Sequence, residues 1–138
     1  MAGTFLFVCP HGVAKSVMAR AYFQHLADQA SLKVASVAAG IDPEATVWPE
    51  VVKLLHQDGL EAAQHEPRRV TQLDLDTAVR VIALGCDLAD FDLQSVSVEW
   101  WNDIPLASQD LLGARDAIRV RVAQLVNEVR RIQAQDEG

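Results

Sequence analysis

Thirteen residues near the amino end, TFLFVCPHGVAKS (residues 4–16), place a cysteine, a glycine, a lysine and a serine at spacings that suit one kind of chemistry. The apolar run Phe5, Leu6, Phe7, Val8 reads as a strand that delivers Cys9 to the mouth of a short loop. After Lys15 and Ser16 a helical pattern begins. A loop between a strand and a helix presents several backbone N–H groups, and the helix N-terminus adds positive potential. Such a loop binds tetrahedral oxyanions without needing a side-chain charge. The same field favours the thiolate of a cysteine at its base, which is the nucleophilic form. Lys15 adds a cation at the rim, and Ser16 offers the sulfur a hydrogen bond, both as nucleophile and as leaving group. Gly12 supplies the positive φ needed to wrap a loop around an anion. The alternative is a thiol packed as a small hydrophobe at the end of a core strand. The spacing, the glycine, the lysine and the serine together favour the anion cradle.

The elements that must position this loop are legible in the periodicity. Residues 4–9 read as a strand, and residues 16–29 as a helix with Met18, Tyr22 and Leu26 on one face. A short strand (Val34, Ala35, Val37) and a turn at Gly40 to Pro43 follow. Residues 48–58 read as a helix with Pro49 in its first turn and Gly59 as its C-cap. A third strand, Ala78 to Gly85, delivers Cys86. A fourth, SVSVEWW, alternates Val96, Val98 and Trp100 against Ser95, Ser97 and Glu99, which predicts Trp100 in the core and Trp101 covering a helix. In the last helix Ile118, Val122, Leu125, Val129 and Ile132 form one stripe, with Arg115, Arg119, Arg121, Arg130 and Arg131 on the outer face. The tail at about 134–138 is expected to fray. Alternating strands and helices imply one α/β domain over residues 1–138, a three-layer sandwich with a four-stranded parallel sheet between helices. Ligands of such sheets bind beyond the carboxyl ends of the strands. The loop after Val8, the turn at Cys86 and WNDIP (residues 101–105) meet at that edge.

Composition narrows the function. Half of the 138 residues are apolar and 22% are charged, as in ordinary globular chains. No apolar run approaches the roughly 18–20 residues of a membrane span, and the amino end lacks the features of a secretory signal, so cytoplasm is the expected location. Cys9 and Cys86 are too few for a disulfide framework, and the four histidines show no metal-ligand spacing, so neither a metal nor a cofactor is expected. A net charge of −7 argues against a nucleic-acid partner. It leaves room for a small anion, because a local cradle of amides overrides the global field.

The segment FVCPHGVAKSVMARAYF resembles the active-site segment of the low-molecular-weight protein tyrosine phosphatases and of the thiol-linked arsenate reductases that share their flavodoxin-like fold. VAAG (37–40), WPEVVKLLHQDGL (48–60) and VIALGC (81–86) are similar to later parts of that family, in the same order. The resemblance implies that Cys9 attacks phosphorus or arsenic. It also implies that the backbone of Pro10, His11, Gly12, Val13, Ala14 and Lys15 holds the three equatorial oxygens. Lys15 stands where the family has Arg. A guanidinium grips two oxygens in one plane and an ammonium does not, which implies a rate penalty of about 10²–10³ with anion binding better preserved.

The family's general acid is an Asp before Pro. Here Ile104 precedes Pro105, and Asp103, the candidate acid, lies one residue early, to be rotated inward or left in solvent. Leu106 and Ala107 stand where the tyrosine phosphatases carry substrate-flanking aromatics. Cys86 matches the second redox thiol of the reductase branch, which forms a disulfide with the first as product leaves, or else it is a packed thiol. The third cysteine of the thioredoxin-coupled branch is absent, since residues 91–94 are FDLQ. The resemblance therefore implies a cysteine-dependent, oxyanion-processing enzyme leaning towards arsenate reduction; the alternatives are a tyrosine phosphatase that hydrolyses phosphomonoesters by way of a phospho-cysteine, and a weakly active or inactive anion- or phosphoprotein-binding member. Its partners would be phosphate, arsenate or a phosphorylated substrate, and a thiol or thioredoxin-type reductant. His11 lies within the loop. Glu66, Arg68 and Arg69 read as a solvated turn.

Overall fold

A computed structural model describes residues 3–137, so that Gly138, in the tail expected to fray, lies outside the described residues. The strands are β1 (Gly3–Cys9), β2 (Val34–Gly40), β3 (Arg80–Ala83) and β4 (Val98–Trp100). The helices are α1 (Lys15–Gln29), α2 (Pro49–Gln57), α3 (Gln72–Thr77) and α4 (Leu111–Glu137). The four strands form one parallel sheet in the order β2-β1-β3-β4. β1 runs through its middle, buried on both faces, which is why its sequence is a continuous apolar run without alternation.

The two faces of β1 belong to different cores. Phe5, Phe7 and Cys9 face α1, α2 and α4, where the Phe23 ring lies 4.8 Å from Phe5 and 5.4 Å from Phe7. Leu6 and Val8 face a thinner layer of Val70, Leu75 and Leu88. Of the helices only α3, six residues long, contributes to that second layer. α3 was not expected from periodicity, because six residues are too few to display it. Its start is nevertheless marked: Thr71 and Asp74 form a reciprocal capping box.

Two readings of side chains require correction. Trp101, 1% exposed, is the core tryptophan and packs edge-on to Phe7 at 6.3 Å, whereas Trp100 is 44% exposed. Alternation correctly groups Val96, Val98 and Trp100 on one face. On an edge strand that face runs out of cover before Trp100, and the chain turns Trp101 into the α4 core instead. Arg68 and Arg69 are exposed yet ordered. Gly40 and Arg69 form a parallel bridge, with Gly40 N–H donating to Arg68 O and Val70 N–H to Gly40 O, both at 2.9 Å. The expected stripe of α4 is buried from Ile118 to Val129, and the helix continues to Glu137, through residues expected to fray. Its Arg115 and Arg119 reach Asp58, which also accepts the Tyr22 hydroxyl, so they tie α4 to α1 and α2.

Candidate active site

The loop from Cys9 to α1 is held from outside by its carbonyls. Ile41 N–H donates to Cys9 O at 3.1 Å, Asp42 N–H to Pro10 O at 2.8 Å, Glu44 N–H to His11 O at 3.1 Å and Trp48 N–H to Val13 O at 3.3 Å. A peptide whose C=O is fixed outward turns the next N–H the other way. The residues after β2 therefore act as a clamp that aims the loop amides inward. Gly12 takes φ +64°, as its place in the loop predicts, and its N–H donates to Cys9 Sγ at 3.2 Å. No side chain caps the N-terminus of α1, so its first N–H groups remain available to an anion.

Gly40 belongs to this site, although the sequence suggested only a turn. A Cβ there would fall 2.7 Å from Gly12 N and 2.8 Å from His11 C. Two backbones touch at this point, and a side chain would push the loop off its clamp. VAAG was the available signal, but a glycine at a strand end says nothing of what crosses it.

Cys9 Sγ lies 3.1 Å from Ser16 Oγ, and both residues are buried. With the sulfur ionised, the hydroxyl and the Gly12 amide are both donors to it. Lys15 is 6% exposed, and no acidic side chain among the described residues pairs with it. Its Nζ reaches the end of β3, where a Cβ on Gly85 would meet it at 2.7 Å. A buried ammonium without a carboxylate is costly unless an anion accompanies it.

Cys86 is half-buried, and its thiol donates to Val8 O at 3.5 Å. Burial first, and then the charge of Cys9, push the Cys86 thiol up to about 12, against the opposing charge of Lys15. The three groups thus act on one another. Cys86 nevertheless packs with the Val8 face of β1 and Cys9 with the Phe7 face.

The remaining candidates lie elsewhere. His11 is exposed, with Nδ1 3.1 Å from Asp42 O and 3.9 Å from Glu44, so its ring braces the clamp. Asp103 is exposed and accepts a hydrogen bond from Arg121 Nη2 at 2.7 Å, which holds its carboxyl below the usual carboxylate range. The cause is local: Trp101 and Ile104 are both buried, and the two residues between them, Asn102 and Asp103, face solvent, where α4 offers Arg121. The structure brings together Cys9, Gly12, Lys15, Ser16 and Cys86, with Asp103 engaged apart from them.

Residues 4–97 match the family model described as low molecular weight phosphotyrosine protein phosphatase. The chain is 28% identical over 129 residues to a putative arsenate reductase of Halobacterium salinarum, a match that covers 90% of this chain and 91% of the relative. Among solved structures it is similar to an arsenate reductase from Archaeoglobus fulgidus (27% identity, TM-score 0.63, 91% of this chain and 98% of that one). It is also similar in fold to YfkJ from Bacillus subtilis (20% identity, TM-score 0.80, 95% and 96%). Since the family model takes in more than half of the chain, including the whole cysteine loop, this protein belongs to the low molecular weight phosphotyrosine protein phosphatase family.

Proposed function

We propose that the protein is a cysteine-dependent oxyanion-processing enzyme whose chemistry is arsenate reduction. The buried Lys15 ammonium supports an anion in the loop. The observation that carries the reductase branch is that Cys86 reaches Val8 O at 3.5 Å, next to Cys9, and follows Gly85, where Lys15 Nζ arrives, while Asp103 is engaged by Arg121. An aryl or alkyl phosphate needs an acid for its leaving oxygen, and Asp103, the candidate acid, is held by Arg121.

The reaction runs in two steps. Cys9 Sγ bonds to arsenic, and one arsenate oxygen leaves as water after taking up protons. Cys86 Sγ then attacks Cys9 Sγ, the S–As bond breaks, and its electron pair stays on arsenic. Arsenic falls from the +5 to the +3 state, arsenite leaves, and two thiols become one disulfide. A thiol or thioredoxin-type reductant restores them. The electrostatics favour this order: burial raises the Cys86 thiol throughout, the charge of Cys9 adds to it, and capping by arsenic removes that second cause while Lys15 continues to oppose the first. Because the two sulfurs lie against opposite faces of β1, the loop after β3 must swing over the sheet edge before the disulfide closes.

The test is thiol-dependent arsenite formation from arsenate. It is expected in the wild type and absent from Cys9→Ser and Cys86→Ser. Equal rates in the wild type and Cys86→Ser would assign Cys86 to packing. A phospho-cysteine burst with an activated aryl phosphate would then favour the phosphatase reading. Phosphate binding with neither reaction would leave an anion-binding member.

A further inference from the structure

The outer edge of β2 faces a cavity of about 500 Å³ lined by none of residues 9–16. Along a strand, successive residues turn N–H and C=O alternately to the two sides. Ile41 donates towards β1, whereas Gly40 exchanges bonds with Arg68 and Val70, so the even-numbered residues of β2 face outward. Two of these carbonyls are met by α1: Gln24 Nε2 donates to Val34 O at 3.2 Å and Arg20 Nε to Ser36 O at 3.3 Å. Ala38 falls between Arg20 and the 68–70 segment. It is buried, and no group among the described residues pairs with its outward N–H or C=O.

Unpaired polar groups collect around this gap. His65 Nε2 is buried without a partner. Arg20 makes no ion pair among the described residues and uses only Nε, while Arg68 is held by both oxygens of Asp74 at 2.8 Å. Of the two acidic residues of the lining, Glu61 pairs with His56 at 2.8 Å, and Glu66 is exposed. Burial and the charges of Arg20 and Arg68 hold the His65 ring below its usual range.

We propose that this cavity is a second ligand site, which takes a small carboxylic acid with a hydrogen-bond donor next to its carboxylate, of the acylated amino-acid type. The planar carboxylate suits the Nη groups of Arg20, and a turn of the half-buried His65 ring brings its Nε2, covered in this structure, to the same carboxylate as a protonated donor. The adjacent donor answers the Ala38 carbonyl. The site does not depend on the cysteine loop, so its failure and that of the proposed reaction are separable.

The test is the imidazole NMR signal of His65, assigned with His65→Gln and titrated with N-acetylglycine against sodium chloride of equal ionic strength. The expected result is a saturable shift and a rise in the His65 titration midpoint, retained in Cys9→Ser. Arg20→Gln is expected to weaken binding by about tenfold or more, as for a lost charge-assisted hydrogen bond. The other histidine signals report whether that variant is folded. A His65 signal that follows salt alone, or unchanged affinity in folded Arg20→Gln, overturns the proposal.

Discussion

Lys15 is the residue on which structure and chemistry bear most directly. Its ammonium is buried beside the loop without an acidic partner, so removing the charge relieves the empty protein and harms the loaded one. Lys15→Met is expected to raise Tm in anion-free buffer and to lose most of the rise that phosphate gives the wild type. Thermal denaturation with and without phosphate reads both; a variant that loses stability without anion would contradict this account. The charge and position of Lys15 were legible in the sequence, but its lack of a carboxylate was not, because pairing is decided by folds of the chain far from residue 15. Asp103 illustrates the same limit. The shifted Asp is plain in WNDIP, and its direction depends on the burial of Ile104 and on Arg121 from α4.

At the scale of elements, the clamp after β2 decides whether the loop is a cradle. Gly40→Ala would place a methyl against the backbone of His11 and Gly12. The expected cost is about 1–3 kcal/mol of stability, as for other overpacked sites, together with loss of phosphate-induced stabilisation. Urea denaturation with and without phosphate measures the two separately. β1, α1 and α4 were readable because each repeats one pattern over many residues. The clamp was not, since it is made of backbone groups that no side-chain pattern encodes. The tryptophan pair was misread because alternation reports which residues share a face and is silent on whether that face is covered.

For the whole molecule, the sheet separates a thick helical layer from a thin one, and the thin one relies on polar fastening. Arg68 hydrogen bonds hold the Asp74 carboxyl below its ordinary range, against the effect of burial. A depressed carboxylate pKa stabilises the fold above the ordinary value of about 3.9, and this contribution is lost as pH falls through the lowered value. Arg68→Gln is therefore expected to flatten the loss of stability on acidification below about pH 4. At neutral pH it should cost within about 1 kcal/mol, because the pair is partly exposed. Urea midpoints across the acid range provide the measurement. Among the described residues no helix is long and apolar enough to cross a membrane.

The placement of Cys9 and Cys86 against opposite faces of β1 has a bearing on survival under oxidative stress. An oxidised Cys9, like the arsenic-capped one, would meet Cys86 only after the loop beyond β3 moves, so the speed of that movement decides whether a stray peroxide leaves an internal crosslink or a sulfur awaiting a small-molecule thiol.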